Sequence, residues 1–70
     1  MFDPLITYEW RELTDDGRLI LPICSHLTGI YESEAEAYAT VAQALDRGLL
    51  SSYDTVKLTL VQLVQPKETY

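Results

Sequence analysis

The sequence is poor in the residues that cross-link or interrupt small proteins. Its 70 residues include one cysteine, three prolines and three glycines. Because Cys24 has no second cysteine to join, no intrachain disulfide can form, and a buried, reduced thiol is the first interpretation. A reactive thiol or a disulfide to another chain is the alternative. A chain this short buries only about 60% of its unfolded surface, so we expect one domain, residues 1–70, with a thin core.

Long apolar runs are also missing. No run approaches the length of a membrane-spanning helix. The first residues, Met1 to Pro4, have neither the basic region nor the apolar stretch of a signal peptide. The sequence therefore predicts a cytoplasmic protein that does not contact a membrane.

Positive charge is scarce. Eleven acidic residues stand against five lysines and arginines, which gives a net charge of −6. A field of this sign repels phosphate backbones, so direct nucleic-acid binding is not expected. The same field attracts basic protein surfaces and speeds encounter with them. Composition leaves two interpretations open: a basic protein partner, or a charge that only keeps a small domain soluble.

Helix signals are the clearest local feature of the chain. Ser33 and Glu36 have the spacing of a capping box, in which the serine oxygen accepts the amide hydrogen of residue 36 and the Glu36 carboxylate reaches back to the Ser33 amide. Gly48 suits the left-handed position that ends a helix. The sequence predicts a helix over residues 34–47, followed by Leu49 and Leu50 as a cap on the core. The predicted buried stripe has helical spacing: Tyr38, Val41, Ala42 and Leu45, extended by Ala35 and Ala39.

Alternating apolar and polar residues predict three strands. The first covers residues 6–11 and the second covers residues 18–24. Pro22 lacks an amide hydrogen, which places the second strand at a sheet edge. The third strand begins at Thr55 and continues to Val64, after a loop over residues 51–54. The inward side chains of these strands are expected to be Tyr8, Trp10, Leu21, Ile23, Val56, Leu58 and Leu60.

The first two strands are joined by a turn signal that ends at Gly17. A four-residue loop from Thr14 to Gly17 would place Leu13 opposite Arg18 and Trp10 opposite Leu21. A two-residue turn would shift the pairing and place polar residues against the apolar face. We therefore expect the four-residue loop.

These elements predict an α+β fold of order ββαβ. A single helix packs on a three-stranded antiparallel sheet of order 2-1-3, and the other sheet face stays open. Gln62 falls in phase with the inward residues of the third strand, so either a bulge shifts the phase or the open face carries an apolar patch. Such a patch would serve self-association, and its candidate members are Leu13, Ile20, Val61 and Leu63.

Chemistry-bearing motifs are absent from the sequence. Cys24 and His26 form a Cys-x-His pair without the further ligands that a metal site needs. Ser25, Ser51 and Ser52 could serve as nucleophiles for His26 by residue type only. No glycine-rich phosphate loop occurs. We expect no catalytic, cofactor or metal site, and hence no enzyme.

Two features favour binding to another protein. Acidic residues recur at the hairpin turn, at the helix start and near the third strand. Tyr31, Tyr53 and Tyr70 are the aromatic residues that the predicted core needs least, and tyrosine is a good interface anchor. The candidate partner-binding residues are Asp15, Asp16, Tyr31, Glu32, Glu34, Glu36, Tyr53 and Asp54. The acidic residues of this set, together with Asp46, form the predicted acidic rim.

In size, acidity and ββαβ order, the whole chain resembles the small proteins by which phages disable bacterial defence, anti-CRISPR proteins in particular. No motif carries the resemblance, so no residue role is transferred. Many such inhibitors are acidic and occupy basic nucleic-acid-binding surfaces. The resemblance implies a phage inhibitor of a CRISPR-Cas-like nucleoprotein complex in a bacterial cytoplasm. The alternative is a structural or regulatory homo-oligomer, such as a homodimer, that associates through the open sheet face or an edge strand.

Overall fold

The fold places one main helix on a three-stranded antiparallel sheet whose strand order is β2-β1-β3. The computed structural model describes residues 4–65. The predicted α+β class, element order and sheet order are confirmed. The elements are β1 (Leu5–Leu13), β2 (Leu19–Ile20), a one-turn 3₁₀ helix (Ser25–Leu27), α1 (Glu34–Asp46), α2 (Ser52–Thr55) and β3 (Leu58–Gln65).

Helix α1 begins and ends at the residues that carry the sequence signals. The Ser33 hydroxyl oxygen accepts a hydrogen bond from the Glu36 amide at 3.1 Å, as predicted. The Glu36 carboxylate, however, accepts from the Glu32 amide at 3.1 Å, one residue before the expected donor. At the other end Gly48 has a φ of +73°, and the Leu49 amide donates to the Ala44 carbonyl at 2.9 Å. This is the Schellman pattern that satisfies the last carbonyls of a helix.

The predicted buried stripe of α1 is wrong by a rotation about the helix axis. Ala37 and Ala44 are the fully buried residues, Val41 is half-buried, and Tyr38 is 56% exposed. The cause is the indole of Trp10, whose Nε1–H donates to the Ala37 carbonyl oxygen at 3.0 Å. A hydrogen bond to a helix backbone needs close approach, and an alanine face allows it. Tyr38 instead packs edge-on against Trp10, with ring centroids 5.4 Å apart.

Strands β1 and β3 form a continuous ladder. Pairing runs without a skipped residue from Leu5 opposite Gln65 to Glu12 opposite Leu58. The bulge alternative is therefore excluded, and Val61 and Leu63 lie on the open face, away from α1.

The start of β3 differs from the expectation because residues 52–55 fold as a helical turn. Ser51 and Asp54 form the capping box of α2, which occupies the predicted loop. The strand then begins at Leu58 rather than at Thr55. Val56, expected to point inward, follows α2 and is exposed.

The predicted register of β1 and β2 is wrong by one residue. Leu13 pairs with Leu19 and Glu12 pairs with Ile20. Thr14 explains the shift, because its amide donates to the Arg18 carbonyl at 2.8 Å and its hydroxyl accepts from the Arg18 amide at 2.9 Å. The loop is thus three residues, 15–17, with Gly17 at a φ of +87°.

A one-residue slip reverses the facing of every side chain in a strand. Ile20 therefore lies on the Trp10 face, and its assignment to the open face is wrong. Leu19 takes its place beside Leu13 on the open face.

Strand β2 is short because of Pro22. On this edge of β1 the even-numbered residues exchange the hydrogen bonds, as Thr14 does with Arg18 and Tyr8 does with Tyr31. Continuing the register would place Pro22 opposite Trp10, where it has no N–H to give. The chain leaves the edge, and Tyr31 returns to it in an isolated bridge with Tyr8. The edge position of Pro22 is confirmed.

The residues around Pro22 consequently change their exposure. Leu21 and Ile23, expected to point inward, are exposed, whereas Pro22 itself is buried. The core lies between α1, the 3₁₀ turn and Trp10. Leu50 caps it as predicted, and Leu27 enters it from the 3₁₀ helix. Within residues 4–65 the buried residues of the core cluster are Trp10, Leu27, Ala37, Ala44 and Leu50.

Replacement of Trp10 should therefore be the most damaging single change. We expect Trp10→Ala to lower the free energy of unfolding by about 3–5 kcal/mol, since a large buried side chain is lost. In a domain of this size that is comparable with the whole stability. Urea unfolding followed by circular dichroism measures it. Tyr53→Ala, at a fully solvated aromatic residue, is the control and should change stability by less than about 0.5 kcal/mol. Equal effects of the two substitutions would contradict this account of the core.

Candidate protein-binding surface

Apart from Asp46 at the end of α1, the predicted acidic residues form two groups on the folded chain. Asp15 and Asp54 lie near the end of β1, because both contact Lys57, whose carbonyl accepts from the Leu13 amide. The Asp15 carboxylate is 3.7 Å from Lys57 Nζ, and the Lys57 amide donates to the Asp54 carbonyl at 3.3 Å. Glu32, Glu34 and Glu36 flank the start of α1, next to Tyr31. Tyr31 pairs with Tyr8, which is five residues before Leu13 along β1. At about 3.3 Å per residue the two groups are roughly 17 Å apart.

The end of the sheet near the hairpin carries apolar as well as acidic side chains. An open hollow of about 240 Å³ is lined there by Glu12, Ile23, Cys24, Leu49, Leu50 and Asp54. Ile23 is 82% exposed, and Leu49 is also exposed. We call the exposed or lining residues at this end the hairpin-end surface: Glu12, Asp15, Asp16, Ile23, Leu49, Tyr53 and Asp54.

The two aspartates of the hairpin turn have different roles. Asp16 accepts hydrogen bonds from the Thr14 hydroxyl and from Arg18 Nε, the latter at 3.0 Å. These contacts, above all the one from Thr14, hold the pKa of Asp16 below its ordinary value. The Asp15 side chain is 97% exposed, and its contact with Lys57 is a surface ion pair of little energetic value. Asp15 therefore remains available to a partner, whereas Asp16 shapes the turn.

Helix α2 presents Tyr53 to solvent. Asp54 accepts from the Ser51 amide at 3.0 Å and from the Ser51 hydroxyl at 2.9 Å. These bonds, the backbone one first, lower the pKa of Asp54. They fix the single turn on which Tyr53 is 87% exposed. The sequence predicted Tyr53 and Asp54 as binding candidates but placed them in a loop rather than in a helical turn.

At the start of α1 the structure assigns internal roles to two candidates. Tyr31 is half-buried, its hydroxyl donates to the Leu27 carbonyl at 3.0 Å, and it packs against the core. Its place among the aromatic residues that the core needs least is therefore wrong. Glu36 is occupied by the Glu32 amide. Glu32 and Glu34 are exposed, and Tyr70 lies outside the described residues.

The open sheet face has a polar centre. Arg11 Nε donates to Glu9 Oε1 at 2.9 Å, and both side chains are largely shielded by their neighbours. Glu9 pairs with Val61 across the ladder, and Arg11 pairs with Thr59. This ion pair separates Leu13, with its neighbour Leu19, from Val61 and Leu63. The predicted self-association residues thus form two small apolar areas rather than one patch.

Groups with catalytic or ligand-binding chemistry are dispersed within residues 4–65. No three His, Cys, Asp or Glu side chains in this range are close enough to hold a metal ion. Cys24 is a free, half-buried thiol. The buried Nε2 of His26 has no hydrogen-bond partner in the described chain. No helix of the described chain is both long enough and apolar enough to span a bilayer.

Ile23 and Leu49 are the surface residues that sequence reasoning missed, because both were assigned to the interior. One signal could have identified Ile23: it follows Pro22, which cannot continue the ladder at a hydrogen-bonding position. Comparison of the chain with protein-family models, with curated proteins and with solved structures found no match. No residue role is therefore transferred from a relative.

The lowered pKa values of Asp16 and Asp54 predict how acid acts on this end of the molecule. A carboxylate whose pKa is depressed on folding stabilises the fold at pH values above its unfolded pKa of about 3.9. That contribution is lost as the pH falls through the lower, folded pKa. We therefore expect stability to decline below about pH 4, and Asp54→Asn to make the decline shallower.

Carboxyl-carbon NMR titration measures both groups directly. Ser51→Ala should raise the pKa of Asp54 part of the way to its ordinary value and leave Asp16 unchanged. Thr14→Val should raise the pKa of Asp16 and leave the pKa of Asp54 unchanged. If either substitution moved both groups, the assignment of separate causes would be incorrect.

Proposed function

We propose that this chain is a non-catalytic, acidic protein-binding module whose hairpin-end surface engages a basic protein surface. The observation that carries the proposal is the exposure of Ile23 and Leu49 around a hollow that Asp54 also lines, with Tyr53 exposed on the same helical turn as Asp54. Exposed apolar side chains grouped at one end of a small protein mark an interaction site more often than idle surface. The acidic residues among them select a partner of the opposite charge.

The two kinds of residue would contribute at different stages of binding. The net charge of −6 steers a basic partner toward the chain, and this attraction acts on the association rate. Burial of Tyr53 and Ile23 in the complex then slows dissociation, because aromatic and apolar anchors supply most of the binding energy at interfaces. The carboxylates at the start of α1, roughly 17 Å away, add to steering without direct contact.

The resemblance to phage anti-defence proteins suggests which basic surface is the target. A nucleoprotein complex of the CRISPR-Cas kind holds its nucleic acid in a positively charged channel. Carboxylates on a small, rigid body can occupy such a channel in place of phosphates. We therefore propose that the chain is a phage inhibitor of such a complex, acting in the cytoplasm of the bacterial host.

The alternative, a homo-oligomer formed through the open sheet face, has less support. The Glu9–Arg11 ion pair lies between the two apolar areas of that face. Burying it in a dimer would remove the remaining contact of these two charges with water, which offsets part of the gain from apolar contact.

Interference assays test the inhibitor function. Bacterial strains that each carry one defined CRISPR-Cas system are transformed with a targeted plasmid, with and without expression of this chain. Inhibition restores transformation in at least one strain to the level of a non-targeted plasmid. Full interference in every strain, with the chain expressed and folded, would remove the CRISPR-Cas target but leave the binding module open to other partners.

Binding kinetics with a purified complex from a responsive strain test the surface. Asp15→Lys and Glu32→Lys change the net charge equally, so they share the long-range effect and differ only in location. We expect Asp15→Lys to slow association more than Glu32→Lys does, and we expect the association rate of the Asp15→Lys variant to depend less on salt. Salt weakens electrostatic attraction because the Debye length falls from about 10 Å at 0.1 M to about 3 Å at 1 M.

Dissociation is tested with two substitutions of the same residue type. Ile23→Ala should speed dissociation at least tenfold, as expected for a central anchor. Ile30→Ala, also at an exposed isoleucine but outside the hairpin-end surface, should leave it unchanged. Equal behaviour of the two alanine variants would place the interface elsewhere on the molecule.

A further inference from the structure

The two edges of the sheet are protected to different degrees. The β2 edge has a strand of two residues, Pro22 beside it, and an ion pair between Asp16 and Arg18 at its turn. Short strands, prolines and charges are the features that keep sheet edges from pairing with other chains. The β3 edge has none of them from Leu58 to Gln65, where the strand runs for eight residues without a charge or a proline.

The backbone groups on the outer edge of β3 have no hydrogen-bond partner within residues 4–65. On β1 the even-numbered residues direct their hydrogen bonds toward β2 and Tyr31, so the odd-numbered residues bond β3. In β3 the backbone groups of the odd-numbered residues are therefore hydrogen-bonded to β1. The backbone groups of the even-numbered residues point outward, away from β1. Within residues 4–65 no hydrogen bond reaches these outward amides and carbonyls, which belong to Leu58, Leu60, Gln62 and Val64.

We propose that a second copy of this chain pairs its own β3 antiparallel to this edge, so that two three-stranded sheets become one continuous sheet about a twofold axis. The outward residues then pair as Leu58 with Val64 of the second copy and Leu60 with Gln62 of the second copy, each reciprocally. Val61 lies on the axis and faces its own counterpart on the open face.

The register follows from which residues can bond. Only pairs of even-numbered residues bring outward backbone groups together. The proposed register pairs all four outward residues of each copy. Shifting it one way would place Pro66, which has no N–H, opposite Leu58. Shifting it the other way would place Val56, which follows α2 and precedes the strand, opposite Val64.

Charge and side-chain chemistry point to a second copy as the occupant. Two chains of charge −6 repel each other in most relative orientations, but β3 carries no carboxylate. A basic partner, in contrast, has nothing to attract it along this strand. Both faces of β3 are apolar at several positions, so like side chains meet across the axis: Val61 with Val61 and Leu58 with Val64. The dimer leaves the hairpin-end surface free, so the proposal is independent of the proposed function.

Sedimentation equilibrium and cross-linking test the dimer together. The wild-type chain should sediment at twice the monomer mass at high concentration. In a Cys24→Ala background, Val61→Cys should form a disulfide-linked dimer, because non-hydrogen-bonded antiparallel pairs have Cα atoms about 4.5 Å apart, within disulfide range. Leu63→Cys is the matched control. The two Leu63 positions are four residues out of register, about 13 Å, and should not cross-link.

A proline variant tests pairing at the β3 edge without disrupting the fold of the monomer. The Gln62 amide points away from β1, so Gln62→Pro should keep circular dichroism and the β1–β3 ladder but abolish the dimer. Gln62→Ala should remain dimeric. If Gln62→Pro does not fold, hydrogen exchange of the wild type decides: amides of Leu58, Leu60, Gln62 and Val64 should gain protection as concentration rises.

Several results would overturn the proposal. These are a monomeric wild type at high concentration, equal cross-linking at positions 61 and 63, a dimer that survives Gln62→Pro, or outward amides whose protection is independent of concentration. A monomer whose outward amides are protected would show that another part of the same chain occupies the edge. A dimer without cross-linking at position 61 would show a different interface, such as the open face.

Discussion

The hydrogen bond from the Trp10 indole to the Ala37 carbonyl is the constraint on which the other packing relations depend. It fixes the height of α1 above the central strand and determines which face of the helix turns inward. The helix accordingly packs through alanines, and its larger apolar side chains, Tyr38 and Leu45, stay exposed. A core cluster of five buried apolar residues in the described part of the chain follows from this geometry. Several of the apolar side chains that stay exposed belong to the proposed binding surface.

The architecture could be predicted because its signals are local. The cap at Ser33, the terminating Gly48 and the alternation around Trp10 each act within a few residues, and together they give the element order and the sheet order. Register and helix rotation could not be predicted, since they depend on contacts between distant residues. The Thr14 side chain takes the place of a backbone acceptor in the hairpin, and one hydrogen bond from Trp10 rotates the helix.

The candidate surface was predicted in part. The carboxylates and Tyr53 follow from charge and residue type, which are visible in any sequence. Ile23 was assigned to the interior because alternation alone cannot show where a strand stops. Tyr31 was assigned to the surface because its pairing with Tyr8 spans a long, irregular segment that no periodicity marks. Both errors concern the segment after Pro22, where the chain leaves the edge and later returns to it.

The molecule measures about 45 × 29 × 15 Å, so its short dimension holds one sheet and one helix and nothing more. In such a thin layer almost every side chain reaches water, and substitutions at exposed positions change stability by less than about 0.5 kcal/mol. Selection for folding therefore acts strongly on few positions. Most surface positions can be substituted while the layer of sheet and helix persists.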